Sequence, residues 1–141
     1  MRNVLCLLII FSFLFLAGCG STDGPRIVYG RVTVGNDIPD TGEVRFMPVE
    51  GTRGSVNVAL IVNGEYRIEG RGGVPLGNYR IEIIAKQKTG KQVRQYNGFE
   101  MAMVEEEIPI SPPVYAGSNS PLTQEVTSTS GNKVDFDLPA E

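Results

Sequence analysis

An all-β fold follows from three features of the sequence. Apolar and polar residues alternate at period two along most of the chain, Gly (17) and Pro (9) punctuate it at short intervals, and no 3.6-residue apolar periodicity persists. The class predicted is an antiparallel two-sheet sandwich, immunoglobulin-like, of about seven strands preceded by a lipoprotein signal peptide. At 141 residues there is material for one core and no second domain.

The first element is a leader over residues 1–18. Met1-Arg2-Asn3 supplies a short positive start, and Val4 to Ala17 is apolar except at Ser12. At 1.5 Å per residue these ~14 positions cover ~21 Å, short of the ~30 Å hydrocarbon core, so a signal segment fits better than a permanent span. Leu16-Ala17-Gly18-Cys19 then matches the bacterial lipobox, in which small residues admit the peptidase and the cysteine thiol takes a diacylglycerol. Cys19 is the expected lipidation site and the new N-terminus. Residues 19–25 are small and polar, a flexible tether to a domain over residues 26–141. Gly20 rather than Asp follows the cysteine, which in a Gram-negative envelope is the outer-membrane default.

Within the domain, Val28, Val32 and Val34 mark one face of a first strand and Val44, Phe46 and Pro48 a second. Val56, Val58, Leu60 and Val62 form one face of a third, and Asn63-Gly64 suits a type I′ hairpin turn into Tyr66 and Ile68. Residues 70–77 read as a loop. Tyr79, Ile81, Ile83 and Ala85 make the clearest inward run, opposite Arg80, Glu82 and Lys86. Between Thr89 and Ser120 the pattern fades: a strand through Met101 to Val104 is expected, and Pro109, Pro112 and Pro113 keep the later part of this segment out of a central ladder. Leu122 to Val126 and Val134 to Leu138 are the last two strands, with Val134, Phe136 and Leu138 inward.

Charge and chemistry narrow the function. A net charge of −3, one unit more negative once Arg2 leaves, gives no field for a polyanion, so nucleic acid is not an expected partner. The absence of His, and the position of Cys6 in the leader, leave the mature chain without a Cys/His zinc site, a disulfide or the commonest general base. Asp135 and Asp137 share a strand face with Cβ atoms ~7 Å apart, the only acid–base pairing on offer, and an exposed polar face accounts for them better. Asn36, Asp37 and Asp40 have calcium-type oxygens but no EF-hand spacing, and read as turn formers. Neither catalytic residues, a metal nor a cofactor is therefore expected.

The candidate binding residues lie in the least regular segment. Lys86, Lys88, Lys91 and Arg94 form a basic run before Glu105-Glu106-Glu107, suited to an anionic polysaccharide or lipid headgroup if it is not paired off. Tyr96 and Phe99 offer faces on which a sugar ring stacks.

Taken in order, lipobox Cys19, Gly30-Arg31-Val32-Thr33-Val34, Gly42-Glu43-Val44-Arg45-Phe46-Met47-Pro48, Asn63-Gly64-Glu65-Tyr66-Arg67-Ile68, Pro75-Leu76-Gly77-Asn78-Tyr79-Arg80-Ile81, Ile108-Pro109 to Tyr115 and Asn132 to Leu138 carry a likeness. The series resembles small bacterial lipoproteins with a carboxypeptidase regulatory-like, transthyretin-like domain. The resemblance covers most of residues 19–138, with no counterpart for 86–107, and its first turn, Gly35-Asn36-Asp37-Ile38-Pro39, departs from the usual Asp-Gly-Lys-Pro. It implies a β-sandwich without chemistry of its own. The expectation is a lipid-anchored, non-catalytic envelope module, partnered by the membrane and by an envelope protein or polysaccharide. Carbohydrate binding by the same fold is the alternative.

Overall fold

The computed structural model describes residues 24–128 and 132–140. The leader, Cys19 and most of the tether lie outside the described residues. The domain is all-β. Its strands are β1 (Val28–Val34), β2 (Thr41–Pro48), β3 (Asn57–Val62), β4 (Glu65–Ile68), β5 (Gly77–Tyr96), β6 (Met101–Pro109), β7 (Thr123–Val126) and β8 (Phe136–Leu138).

These form one hydrogen-bonded mixed sheet in the order β6-β5-β2-β3-β4-β1-β8, with β7 also on β5. Every strand pairing is antiparallel except β1 with β8, where Val32 lies opposite Phe136 and Val34 opposite Leu138 in parallel. The expectation of a wholly antiparallel fold is corrected by this one ladder. The last two strands belong to opposite ends of the sheet path, so the chain returns beside β1 instead of closing a terminal hairpin.

Period-two alternation decides the core. Val28, Val32 and Val34 from β1, Val44 and Phe46 from β2, Tyr66 and Ile68 from β4, Tyr79, Ile81, Ile83 and Ala85 from β5, and Phe136 and Leu138 from β8 are all buried in one cluster. Val134 and Leu122 pack against it half-buried. Aromatic rings join the two ends of the path: Phe46 meets Tyr79 edge-on at 5.8 Å, and Phe136 lies 6.4 Å from Phe46 and stacks on Tyr66 at 5.9 Å. Burial raises the pKa of both tyrosines, Tyr66 far above the ordinary phenol value, and their hydroxyls donate to the carbonyls of Val134 and Pro75.

In β3 the expected face is the outer one. Ala59 and Ile61 fill the core, while Val56, Val58, Leu60 and Val62 are exposed. The four valine and leucine side chains are the louder signal, but β3 pairs with β2 through Ala59 opposite Val44, and opposed residues share a face. Val44 is fully buried, so Ala59 goes inward with it.

Two glycines permit this path. Asn63 and Gly64 both take positive φ, 50° and 76°, which is the type I′ turn expected between β3 and β4. At Gly30 a Cβ would fall 1.8 Å from the Val134 carbonyl oxygen, so the returning C-terminal segment can lie on β1 only over a glycine. Beyond the turn β3 and β4 share a single register pair, Val62 with Glu65, and then diverge.

A candidate binding arm

The segment that carries the least sequence signal is a long β-hairpin. The β2 ladder stops at its first residue, Thr41, opposite Lys86, yet β5 continues for ten more residues, paired only with β6. Asp40, at the entry to β2, takes the Lys88 backbone N–H on its carboxylate at 2.9 Å, covering the first donor past the sheet. The expected strand through Met101–Val104 is thus longer, and the preceding strand is more than twice the length its inward run implied.

The arm has a kinked base and a regular outer part. Lys88 opposes Glu107 and Gln92 opposes Glu105, so Thr89, Gly90 and Lys91 bulge against Glu106 alone, with Gly90 at φ 77°. Regular pairing then runs from Gln92 with Glu105 to Tyr96 with Met101. At the tip the Asn97 side-chain oxygen accepts from the N–H groups of Phe99 and Glu100, both at 3.0 Å, and the Tyr96 hydroxyl donates to the Gly98 carbonyl at 2.9 Å. The tip is therefore built by its own hydrogen bonds, with no help from the core.

The structure gathers all six candidate residues on this arm but does not make them one patch. Lys86 pairs with Glu107 at 3.6 Å, Lys88 with Glu105 at 3.4 Å and Lys91 with Glu106 at 3.7 Å. The antiparallel register lays the acidic run against the basic one, so the three lysines offer no uncompensated field. Such exposed pairs contribute about 0–1 kcal/mol each and are weakened by salt. Arg94 makes no ion pair among the described residues. Tyr96 is 61% exposed and Phe99 94%, both at the tip.

Two residues passed over as contacts join them. Met101 opposes Tyr96 and Met103 opposes Arg94, which puts these four on one face, with both methionines exposed. The Met-x-Met alternation is the available signal, visible as such only once the strand is placed outside the core. Val93, Ala102 and Val104 occupy the opposite face, half-buried.

The remaining candidates are tied into the fold. Asp135 accepts from the Lys133 ammonium at 2.7 Å and from the Arg31 backbone N–H at 2.8 Å, and these bonds hold its carboxyl below the usual range. Asp137 accepts from the Thr33 hydroxyl at 2.6 Å. Among the described residues no three His, Cys, Asp or Glu side chains gather to hold a metal ion. An open slot of about 1030 Å³ lies where β3 and β4 diverge, walled by Val58, Leu60 and Val62 on one side and Tyr29, Arg31 and Arg67 on the other.

Comparison of the chain with protein-family models, with curated proteins and with solved structures yields no match.

Proposed function

We propose that the chain is a lipid-anchored, non-catalytic module of the bacterial cell envelope, a two-layer sandwich of the carboxypeptidase regulatory-like type, which contacts an envelope partner through its arm. The lipobox at Cys19 supports the anchor, and the single Val62–Glu65 pair between β3 and β4 supports the separation into two layers. The outer membrane is the compartment proposed.

One observation carries the reading: the described chain enters the domain at the end opposite the one from which the arm leaves. The chain enters at Arg26, bonded to Val74 beside the loop that leads into β5. β5 then runs the length of the domain and leaves at Lys86, and its ten further residues reach up to ~30 Å beyond the sheet. An anchored domain of this shape presents Tyr96, Phe99, Met101 and Met103 far from its own attachment point. Loops and arms fixed by a rigid scaffold are the usual carriers of recognition.

A second reading, carbohydrate binding, rests on the exposed rings of Tyr96 and Phe99 at that tip. The test separates them. Mass spectrometry of the mature protein should find a diacylated Cys19, and Cys19→Ala should release the chain from membranes. A photo-crosslinker at Phe99 should capture an envelope protein, with capture reduced by Met103→Ser. Glycan-array binding abolished by Tyr96→Ala or Phe99→Ala would favour the second reading, and an unmodified Cys19 would overturn the anchor.

A further inference from the structure

The side chains of this protein most easily oxidised are unevenly placed. The sequence has no Trp and no His, and beyond the leader its sulfur atoms are those of Cys19, Met47, Met101 and Met103. No residue of the buried core carries sulfur. Met47 is half-buried on β2 opposite Arg80, whereas on the arm Met101 is 53% exposed and Met103 59%. Among the described residues, a reagent that attacks thioethers therefore meets the arm first.

The two sulfur atoms also sit where a change of polarity acts on the arm alone. Residues i and i+2 of a strand share a face, and the register sets Met101 opposite Tyr96 and Met103 opposite Arg94. This is the face proposed to meet the envelope partner. Here β5 pairs only with β6, beyond the end of the β2 ladder at Thr41, so neither methionine supports the packed body. A thioether is apolar and adapts to the surface it meets, whereas its sulfoxide is polar and brings an oxygen that seeks a hydrogen bond. Covered by a partner that offers none, that oxygen opposes binding.

We propose that Met101 and Met103 form a modification site, where oxidation by hydrogen peroxide to the sulfoxides releases the arm from its partner and leaves the fold intact. The inference rests on the reading of the arm as a contact surface. A lone pair on the thioether sulfur attacks one peroxide oxygen, and the S–O bond forms as the O–O bond breaks. Sulfur gives up two electrons and the peroxide takes them. The departing hydroxide accepts the proton of the transferred oxygen and leaves as water. The protein's part is to hold both sulfur atoms in solvent when the arm is free and under the partner when it is bound.

The test uses the full chain with a photo-crosslinker at Phe99, treated with hydrogen peroxide, freed of the reagent and returned to envelopes from cells that lack it. Peptide mass spectrometry should find one added oxygen on Met101 and on Met103 before any on Met47, with the melting temperature unchanged. Capture of the envelope protein should then fall several-fold. The double variant Met101→Leu, Met103→Leu keeps the apolar face without the sulfur and should capture equally before and after treatment. Met101→Gln with Met103→Gln, polar from the start, should lose capture several-fold with no peroxide at all. Undiminished capture by wild type oxidised at both positions would overturn the proposal, as would loss of capture by the leucine variant on treatment, or oxidation of Met47 ahead of the arm. Absence of capture by the untreated wild type would instead overturn the reading of the arm, and this inference with it.

Discussion

One strand, β5, passes through two environments. From Tyr79 to Ala85 its inward residues are completely buried, while from Lys88 to Tyr96 no residue is. Both halves are extended, and each has a partner on the same side, β7 opposite Gly77 to Arg80 and β6 opposite Lys86 to Tyr96. The remaining neighbours distinguish them. Over the first half β2 supplies a second ladder and the core a packed face; past Thr41 both are gone. A two-stranded ribbon is marginally stable alone, so the outer half persists through its ion pairs, its tip and its continuity with the body.

The contrast is broken most severely by truncation. Ile81→Ala, in the buried half, and Phe136→Ala, where rings from both ends of the sheet path meet, should each cost ~2–5 kcal/mol. Denaturant midpoints measure this, and Met103→Ala on the arm should stay within about 0.5 kcal/mol. A comparable loss at Met103 would mean that the arm is part of the cooperative core.

A smaller effect sharpens how the buried half is sealed. Pro112 and Pro113 interrupt the companion of β5, and two serines fill the gap. The buried Ser111 hydroxyl accepts from the Ala85 N–H at 3.0 Å, and that of Ser120 donates to the Ile81 carbonyl. Ser111→Ala and Ser120→Ala should each cost ~1–3 kcal/mol by orphaning a buried backbone group. Equal stability of either variant would show that the edge is wet.

Smaller still is the arm's charge ladder. Lys88→Gln should change stability by no more than about 0.5 kcal/mol, with an effect that vanishes in high salt.

The pH dependence belongs to the body. Tyr66 has its pKa raised by burial and then by the nearby Asp135 carboxylate. Its contribution is intact below the unfolded value of about 10 and is lost as pH rises through the folded one. Absorbance titration should show Tyr66 ionising only with alkaline unfolding. Tyr66 ionisation near the ordinary phenol pKa in the folded state would contradict its burial.

Legibility follows the same division. The inward runs of β1, β2, β4, β5 and β8 are visible in the sequence because alternation there records one buried face. β3 misleads because its outward residues are apolar too, and only the pairing of Ala59 with Val44 fixes which face is which. The arm is illegible since a ribbon exposed on both faces leaves no period to read. Its residues Lys86, Lys88, Lys91, Arg94, Tyr96 and Phe99 stand out by composition, but the lysine–glutamate pairing depends on a register set by a bulge at Gly90. Met101 and Met103 read as strand residues in the sequence and become contact candidates only once the arm is placed.

The proposed division of β5 into a core half and a contact half is tested most directly by hydrogen exchange on the full chain. Amides of Tyr79–Ala85 should be slow both in purified protein and in native envelopes. Those from Gln92 to Val104 should exchange quickly when purified and slow down in the envelope, where the proposed partner would cover them. An arm as protected as the body in the purified protein, or equally unprotected in both preparations, would contradict the division into a core half and a contact half.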